Sequence, residues 1–302
     1  MSTGALKSVG SAAARPAASA VRTSRAGRMR AAATSVWTAL GIVVIAVWIF
    51  PVYWMATTAF KSGPAMAADP PQLWPHSPTL VHFRKVVDDP LFWDAVTNSA
   101  LVTAITVPAA VLVAFGSALA IARFRFRGRG LYVTAVMLVQ MVPHVALVVP
   151  VFLTLSDVGL SDSVPGLVVT YLAFILPFAV WTLRGFIAAV PKDLEEAAMT
   201  DGCTRMGAFR HIILPLTLPG LIATSVYSMI LAWNEYLFAY FIIASPHKYT
   251  VPLWLTHFVT SEGTDYGALM AGSVIVSVPV VVFFMLVQRH LAAGLTAGAV
   301  KG

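Results

Sequence analysis

Glu195–Pro215 reads EEAAMTDGCTRMGAFRHIILP, a polar island of about twenty residues set between two long apolar runs. Just before it, Asp193 is a good N-cap, and Glu196 three residues on completes a pairing of the capping-box kind. The spacing predicts a short helix from Asp193 to Thr200. Leu194, Ala197, Ala198 and Asp201 follow i, i+3, i+4, i+7 and share one face of it. That face is mostly small side chains, so another surface can approach it closely. Gly202 stops the helix, as glycine just past a helix end does. Thr204 caps a second turn carrying Met206 and Phe209, and Ile212-Ile213-Leu214-Pro215 leads into the next apolar run.

The runs around the island set the fold class. The chain has 302 residues, 58% hydrophobic and 11% charged, where a soluble domain carries about 25% charged residues. Ala31–Phe60 holds no charge at all. That is too long for the apolar part of a signal peptide and suits a membrane anchor. Five more uncharged runs follow: Ala95–Ala122, Leu131–Ser156, Ser163–Leu183, Ile212–Trp233 and Tyr266–Gln288. Each reaches the roughly 20 residues a helix needs to cross a bilayer. The expected fold is an all-α integral membrane protein with six transmembrane helices over residues 34–290. A cytoplasmic loop at 190–215 joins the fourth and fifth. Pro108, Pro143, Pro177 and Pro279 lie inside these runs, where neighbouring helices re-satisfy the freed backbone groups and a kink is tolerable.

Charge gives the orientation, because cytoplasmic segments of membrane proteins are rich in Lys and Arg. With the N-terminus inside, sixteen of the twenty basic residues are cytoplasmic. The external segments hold only Lys61, Arg84, Lys85 and Lys248, together with eight of the thirteen acids. Both chain ends and the polar island are therefore expected in the cytoplasm of a cell-membrane protein. The same distribution explains the formal charge of +7 without nucleic acid. ARFRFRGRG at Ala122–Gly130 reads as an anchor at the lipid headgroups. Residues 1–33 are basic, rich in Ala, Ser and Arg, and expected to be a disordered tail. Residues 291–302 form a C-terminal tail. Cys203, the single cysteine, is expected to be a plain thiol.

With this context the island resembles a specific motif. Glu196-Ala197-Ala198, three residues, Gly202, nine residues, Ile212, one residue, Leu214-Pro215 fills every fixed position of the EAA loop of ATP-binding-cassette importer permeases. The first external loop, with Pro70-Pro71-Gln72-Leu73-Trp74-Pro75, Thr79 and Phe83, is similar to one in sugar-importer permeases. From about residue 34 the chain resembles the smaller six-span permease of the maltose-transporter type. The resemblance implies that Leu194, Glu196, Ala197, Ala198, Gly202, Ile212, Leu214 and Pro215 form a coupling helix and turn that dock on an ATPase subunit. It implies a second, different permease, two ATP-binding subunits, an external substrate-binding protein and a sugar substrate. It also implies that the tail at Gly294, Leu295, Thr296, Gly298 and Lys301 reaches the ATPases, although composition alone reads as a frayed Gly/Ala-rich end.

Trp233-Asn234-Glu235 resembles the WNE/D element of the fifth helix in the same group. Glu235 is the one acid embedded in an apolar stretch. Intramembrane acids usually face a bundle interior or a wet cavity, so Trp233, Asn234 and Glu235 are translocation-path candidates. The other reading of Glu235 is a carboxylate snorkelling at the outer interface or hydrogen-bonding the partner permease. His144, alone in the third span, is read as a packed hydrogen-bonding residue.

No phosphate-binding GxxxxGK[ST], HExxH, GxSxG or paired-cysteine metal motif is present. The chain is not expected to be an enzyme, to hold a metal or to bind a cofactor. ATP is expected on the partner subunits. An ion-coupled secondary carrier remains as a second class, as does a permease for a solute other than sugar. A carrier of that kind needs ion-coupling acids or histidines in the membrane, often with inverted repeats, and no repeat is evident here.

Overall fold

The computed structural model describes the backbone of residues 20–299 and the side chains of residues 36–288. In chain order the helices are α1 (Ala20–Ala59), α2 (Gly63–Met66), α3 (Val81–Val87), α4 (Phe92–Arg123), α5 (Arg129–Val139), α6 (His144–Asp157) and α7 (Val164–Ala189). The rest are α8 (Lys192–Thr200), α9 (Arg205–Ala208), α10 (Leu214–Asn234), α11 (Leu237–Ile242), α12 (Val251–Leu255) and α13 (Tyr266–Ala299). Strands β1 (Val259–Thr260) and β2 (Gly263–Thr264) form a small antiparallel hairpin before α13.

Two compact units divide the chain, residues 1–54 and residues 55–302. The first consists, among the described residues, of one helix that starts at Ala20. The basic segment from Ala20 to Arg30 is thus helical rather than structureless. Ala, Arg and Met are strong helix formers, and an apolar helix already nucleated beyond them lowers the cost of extension.

Among the described residues, five helical segments are long and apolar enough to cross a membrane: Val36–Ala59, Phe92–Arg123, Val164–Ala189, Arg205–Asn234 and Tyr266–Gln288. The run expected as the third span, with Pro143 inside it as a tolerable kink, is two helices, α5 and α6, bent by 102° at a short break. Pro143 is the cause. It stands at the head of α6 with φ −61° and ψ 123°, and a proline pushes the residue before it out of the α region. Gln140, Met141 and Val142 close the end of α5 with tighter i→i−3 bonds. Pro108, Pro177 and Pro279 lie inside continuous helices, as expected.

Within the second unit, α4 and α7 make the most extensive helix pair. Ala110, Ala114 and Ala118 fall every fourth residue on α4, all fully buried. Such a small-residue face lets helix backbones come close, the usual basis of packing in a membrane. Leu167, Tyr171, Ile175, Leu183 and Ile187 of α7 complete this core. A second core gathers Phe92, Val86, Trp233, Trp254, Phe258, Ala268 and Ala271. Trp254 is fully buried between the rings of Phe92 and Phe258, at centroid distances of 5.3 and 5.1 Å. Phe92 thus belongs to the core, whereas Trp74 and Trp93 are exposed.

Candidate functional site

The polar island folds as a helix, a glycine stop and a ramp. Pro191, with φ −58° and ψ 135°, is the N-cap of α8, and no side chain caps that end. The helix starts at Lys192, so Asp193 lies inside it and the expected capping pair with Glu196 does not form. Proline preorganises the first turn without needing a donor. Asp193 and Glu195 sit in that turn, where negative charge meets the positive end of the helix dipole.

The far end of α8 closes in a Schellman turn. Gly202 has φ +93°. Its N–H bonds the Met199 carbonyl at 3.1 Å, and the Cys203 N–H bonds the Ala198 carbonyl at 3.0 Å. The left-handed φ is the reason glycine stands there. Thr204 then caps α9, its hydroxyl accepting from the Gly207 N–H at 3.1 Å. A π-turn at Phe209–Ile213 carries α9 into α10 without a break. Leu194, Glu196 and Ala197 are exposed, and Ala198 is half-buried. Ile212 and Leu214 are half-buried at the ramp, and Pro215 is exposed.

Sequence reasoning missed what holds α8 to the membrane helices. Arg123, the last residue of α4, places Nε 2.5 Å from Glu195 Oε1. Its Nη2 donates to the carbonyl of Val190, the C-cap of α7, at 2.9 Å. Arg123 is 8% and Glu195 18% exposed at the side chain. Arg123 is therefore engaged within the protein and is not free to serve as one of the headgroup anchors expected at Ala122–Gly130. Its one distinguishing sign in the sequence is its place directly after the apolar run. Arg123, Glu195, Glu196, Met199, Arg205 and Met206 line a cavity of about 410 Å³ between α8, α9 and the end of α4. Met206 is 71% exposed at its mouth, and methionine adapts easily to a partner surface.

The three path candidates separate in the structure. Trp233 is buried, and its Nε1 donates to the Val276 carbonyl of α13 at 3.2 Å, tying α10 to α13. Asn234 is exposed, and its amide donates back to the Ile230 carbonyl. Glu235 sits in the break between α10 and α11. Its two carboxylate oxygens accept from the Phe238 and Ala239 N–H groups at 2.8 and 3.1 Å. The carboxylate thereby satisfies two of the backbone donors that the head of α11 otherwise leaves without partners. Glu235 also lines a cavity of about 120 Å³ with His144, Tyr171, Phe174 and Phe238. Phe174 stacks on Phe238 at 4.5 Å and meets the His144 ring at 4.7 Å.

Outside the spans, Asp162 clips two loops together. It adopts φ +48° between α6 and α7. Its carboxylate accepts from the Ala244 and Ser245 N–H groups, the Ser245 hydroxyl and Lys248 Nζ, at 2.6 to 3.0 Å. Burial alone raises its pKa, but the bonds from Lys248, Ser245 and Ala244 outweigh that and hold the carboxyl well below the usual carboxylate range.

Of the tail residues, Gly294, Leu295, Thr296 and Gly298 have no described side chains, and Lys301 lies outside the described residues. Among the described residues no group of three or more His, Cys, Asp or Glu is placed to hold a metal ion.

Comparison with known proteins gives consistent matches. Residues 99–297 match the family model described as binding-protein-dependent transport system inner membrane component. The chain is 42% identical over 268 residues to the diacetylchitobiose uptake system permease protein of Streptomyces coelicolor, covering 88% of this chain and 97% of that one. It is 36% identical over 276 residues to the trehalose transport system permease protein of Mycobacterium tuberculosis, covering 91% and 100%. The trehalose/maltose transport system permease protein of Thermococcus litoralis is 33% identical over 267 residues, covering 87% and 95%. Among solved structures, a chain of a bacterial ABC transporter involved in the import of alginate superposes with a TM-score of 0.72 at 22% identity, covering 88% and 97%. That likeness concerns the fold.

Proposed function

Because the chain belongs to the family of binding-protein-dependent transport system inner membrane components, we propose that it works as one membrane subunit of an ATP-driven importer that carries a mono- or oligosaccharide by alternating access. It is a transporter component and not an enzyme. The sugar reading rests on the three relatives, whose names all specify saccharides.

In this reading a second, different permease completes the translocation path, and two ATPase subunits bind ATP. A substrate-binding protein delivers the sugar from outside. The observation that carries the reading is α8. It is a capped helix with Leu194 and Ala197 open to solvent, ended by a glycine turn and continuous through a ramp with a membrane helix. A helix in that position can dock in a cleft of the motor and transmit its closure as rocking of the helices above. Glu235 faces the translocation cavity, and the tail from Gly294 to Lys301 reaches the ATPases.

The test uses the assembled complex. Ala197 is exposed on the docking face, while Ala198 is half turned into its own chain. Ala197→Trp therefore adds bulk outside without overpacking the fold, and crowding a close contact costs roughly 1–3 kcal/mol. We expect the variant to insert in the membrane, retain less ATPase on purification and uncouple hydrolysis from uptake. Uptake is followed with radiolabelled trehalose, maltose and diacetylchitobiose. Normal ATPase retention with normal uptake removes the coupling assignment.

A further inference from the structure

We propose that Arg123 is the strut through which movement of α8 is delivered to α4 and α7. This rests on the reading of α8 as the docking helix and adds to it how the movement leaves that helix. The covalent route from α8 runs through α9 and the π-turn into α10, and α8 packs mainly on those two elements. On its other side Pro191 separates it from α7. Arg123 supplies a second route. Its guanidinium forms an ion pair with Glu195 of α8 and donates from Nη2 to the Val190 carbonyl, where α7 ends. One side chain therefore joins three elements, and α4 and α7 are themselves the most extensive helix pair.

The chemistry fits a transmitting role better than a surface ion pair. Both side chains are largely buried, so salt screens the pair weakly. A guanidinium spreads its charge over a rigid plane, so it faces Glu195 as an ion pair while Nη2 donates to Val190; a lysine ammonium is a single point charge. The two adjacent glutamates divide the work. Glu195 is paired with Arg123 and largely buried, and Glu196 is exposed on the cavity they share. A pull on α8 thus moves Val190 and the end of α4 together, instead of bending the chain at Pro191.

The experiment compares wild type, Glu195→Gln, Arg123→Lys and the double variant Arg123→Gln/Glu195→Gln, each purified with its ATPase subunits and reconstituted in vesicles. The double variant removes both charges, so neither is left buried and unpaired, which a single loss at Arg123 risks. The readout is sugar taken up per ATP hydrolysed, measured with whichever of the three labelled sugars the wild type carries. We expect all three variants to keep their ATPases. The ratio should fall by roughly 3- to 30-fold in the double variant, and less in Glu195→Gln, where Arg123 still holds Val190. Arg123→Lys should lie between wild type and the double variant. A wild-type ratio in both the double variant and Glu195→Gln overturns the strut. Ala197→Trp run alongside separates the two ideas. If it loses its ATPases while the Arg123 and Glu195 variants stay coupled, only the strut fails. If it keeps them and transports normally, the docking helix itself is misassigned.

Discussion

Glu235 has both carboxylate oxygens engaged by the backbone N–H groups of Phe238 and Ala239, at the point where α10 ends and α11 begins. A leucine there leaves the two buried backbone donors without these partners, each costing about 1–3 kcal/mol. Glutamine keeps one acceptor oxygen and orphans one donor, for about 1–3 kcal/mol. The cap and the proposed path role are thus separable. We expect Glu235→Gln to assemble and to lower sugar uptake, and Glu235→Leu to lose assembly or unfold at lower temperature in detergent. Unchanged uptake in a stably assembled Glu235→Gln assigns the residue to the cap alone. The sequence exposed Glu235 as an isolated acid in an apolar stretch. It held no sign of the helix break that this acid caps, because Glu235 and Tyr236 carry no breaker chemistry of their own.

At the scale of elements, what was legible followed from local rules. Gly202 announced a left-handed turn, and Thr204 announced a cap. Uncharged length announced the spans. What was illegible depended on choices between local rules. Pro143 breaks its helix where Pro108, Pro177 and Pro279 do not, because neighbours in space decide whether freed backbone groups find partners. Arg123 was hidden for a similar reason, since its two partners lie 67 and 72 positions away. Asp162 is another such long-range tie, joining the turn before α7 to the loop after α11. Its folded pKa lies below the unfolded value of about 3.9. The tie is therefore fully stabilising above about pH 4 and is lost as pH falls through the depressed folded value. We expect Asp162→Asn to cost about 1–3 kcal/mol between pH 5 and 8, from bonds to a charged group in a half-buried site. The wild-type advantage should shrink as the pH is taken well below 4. Thermal unfolding of the purified complex across that range measures it, and a gap unchanged at low pH would rule out the ionised clip.

For the molecule as a whole, the direction of every role proposed here depends on which side of the membrane α8 occupies. Charge supplies the argument. With six crossings and the N-terminus inside, sixteen of the twenty basic residues are expected on one side, and the other four with most of the acids on the other. The bias acts through short loops near the span ends, and Arg125, Arg127, Arg129, Lys192, Arg205 and Arg210 are placed there. The bend between α5 and α6 does not alter this count, because no Lys or Arg lies in the break itself. Were the broken pair to turn back without crossing, however, α7 and everything after it would invert, and α8 would lie outside. One residue decides between the two. Cys203 is the single cysteine and is exposed in the turn that ends α8. With α8 in the cytoplasm, a membrane-impermeant maleimide should leave it unlabelled in intact cells and label it after the membrane is permeabilised. Strong labelling of intact cells would place α8 outside, out of reach of any cytoplasmic ATPase, and would make α5 and α6 a re-entrant pair instead of a span.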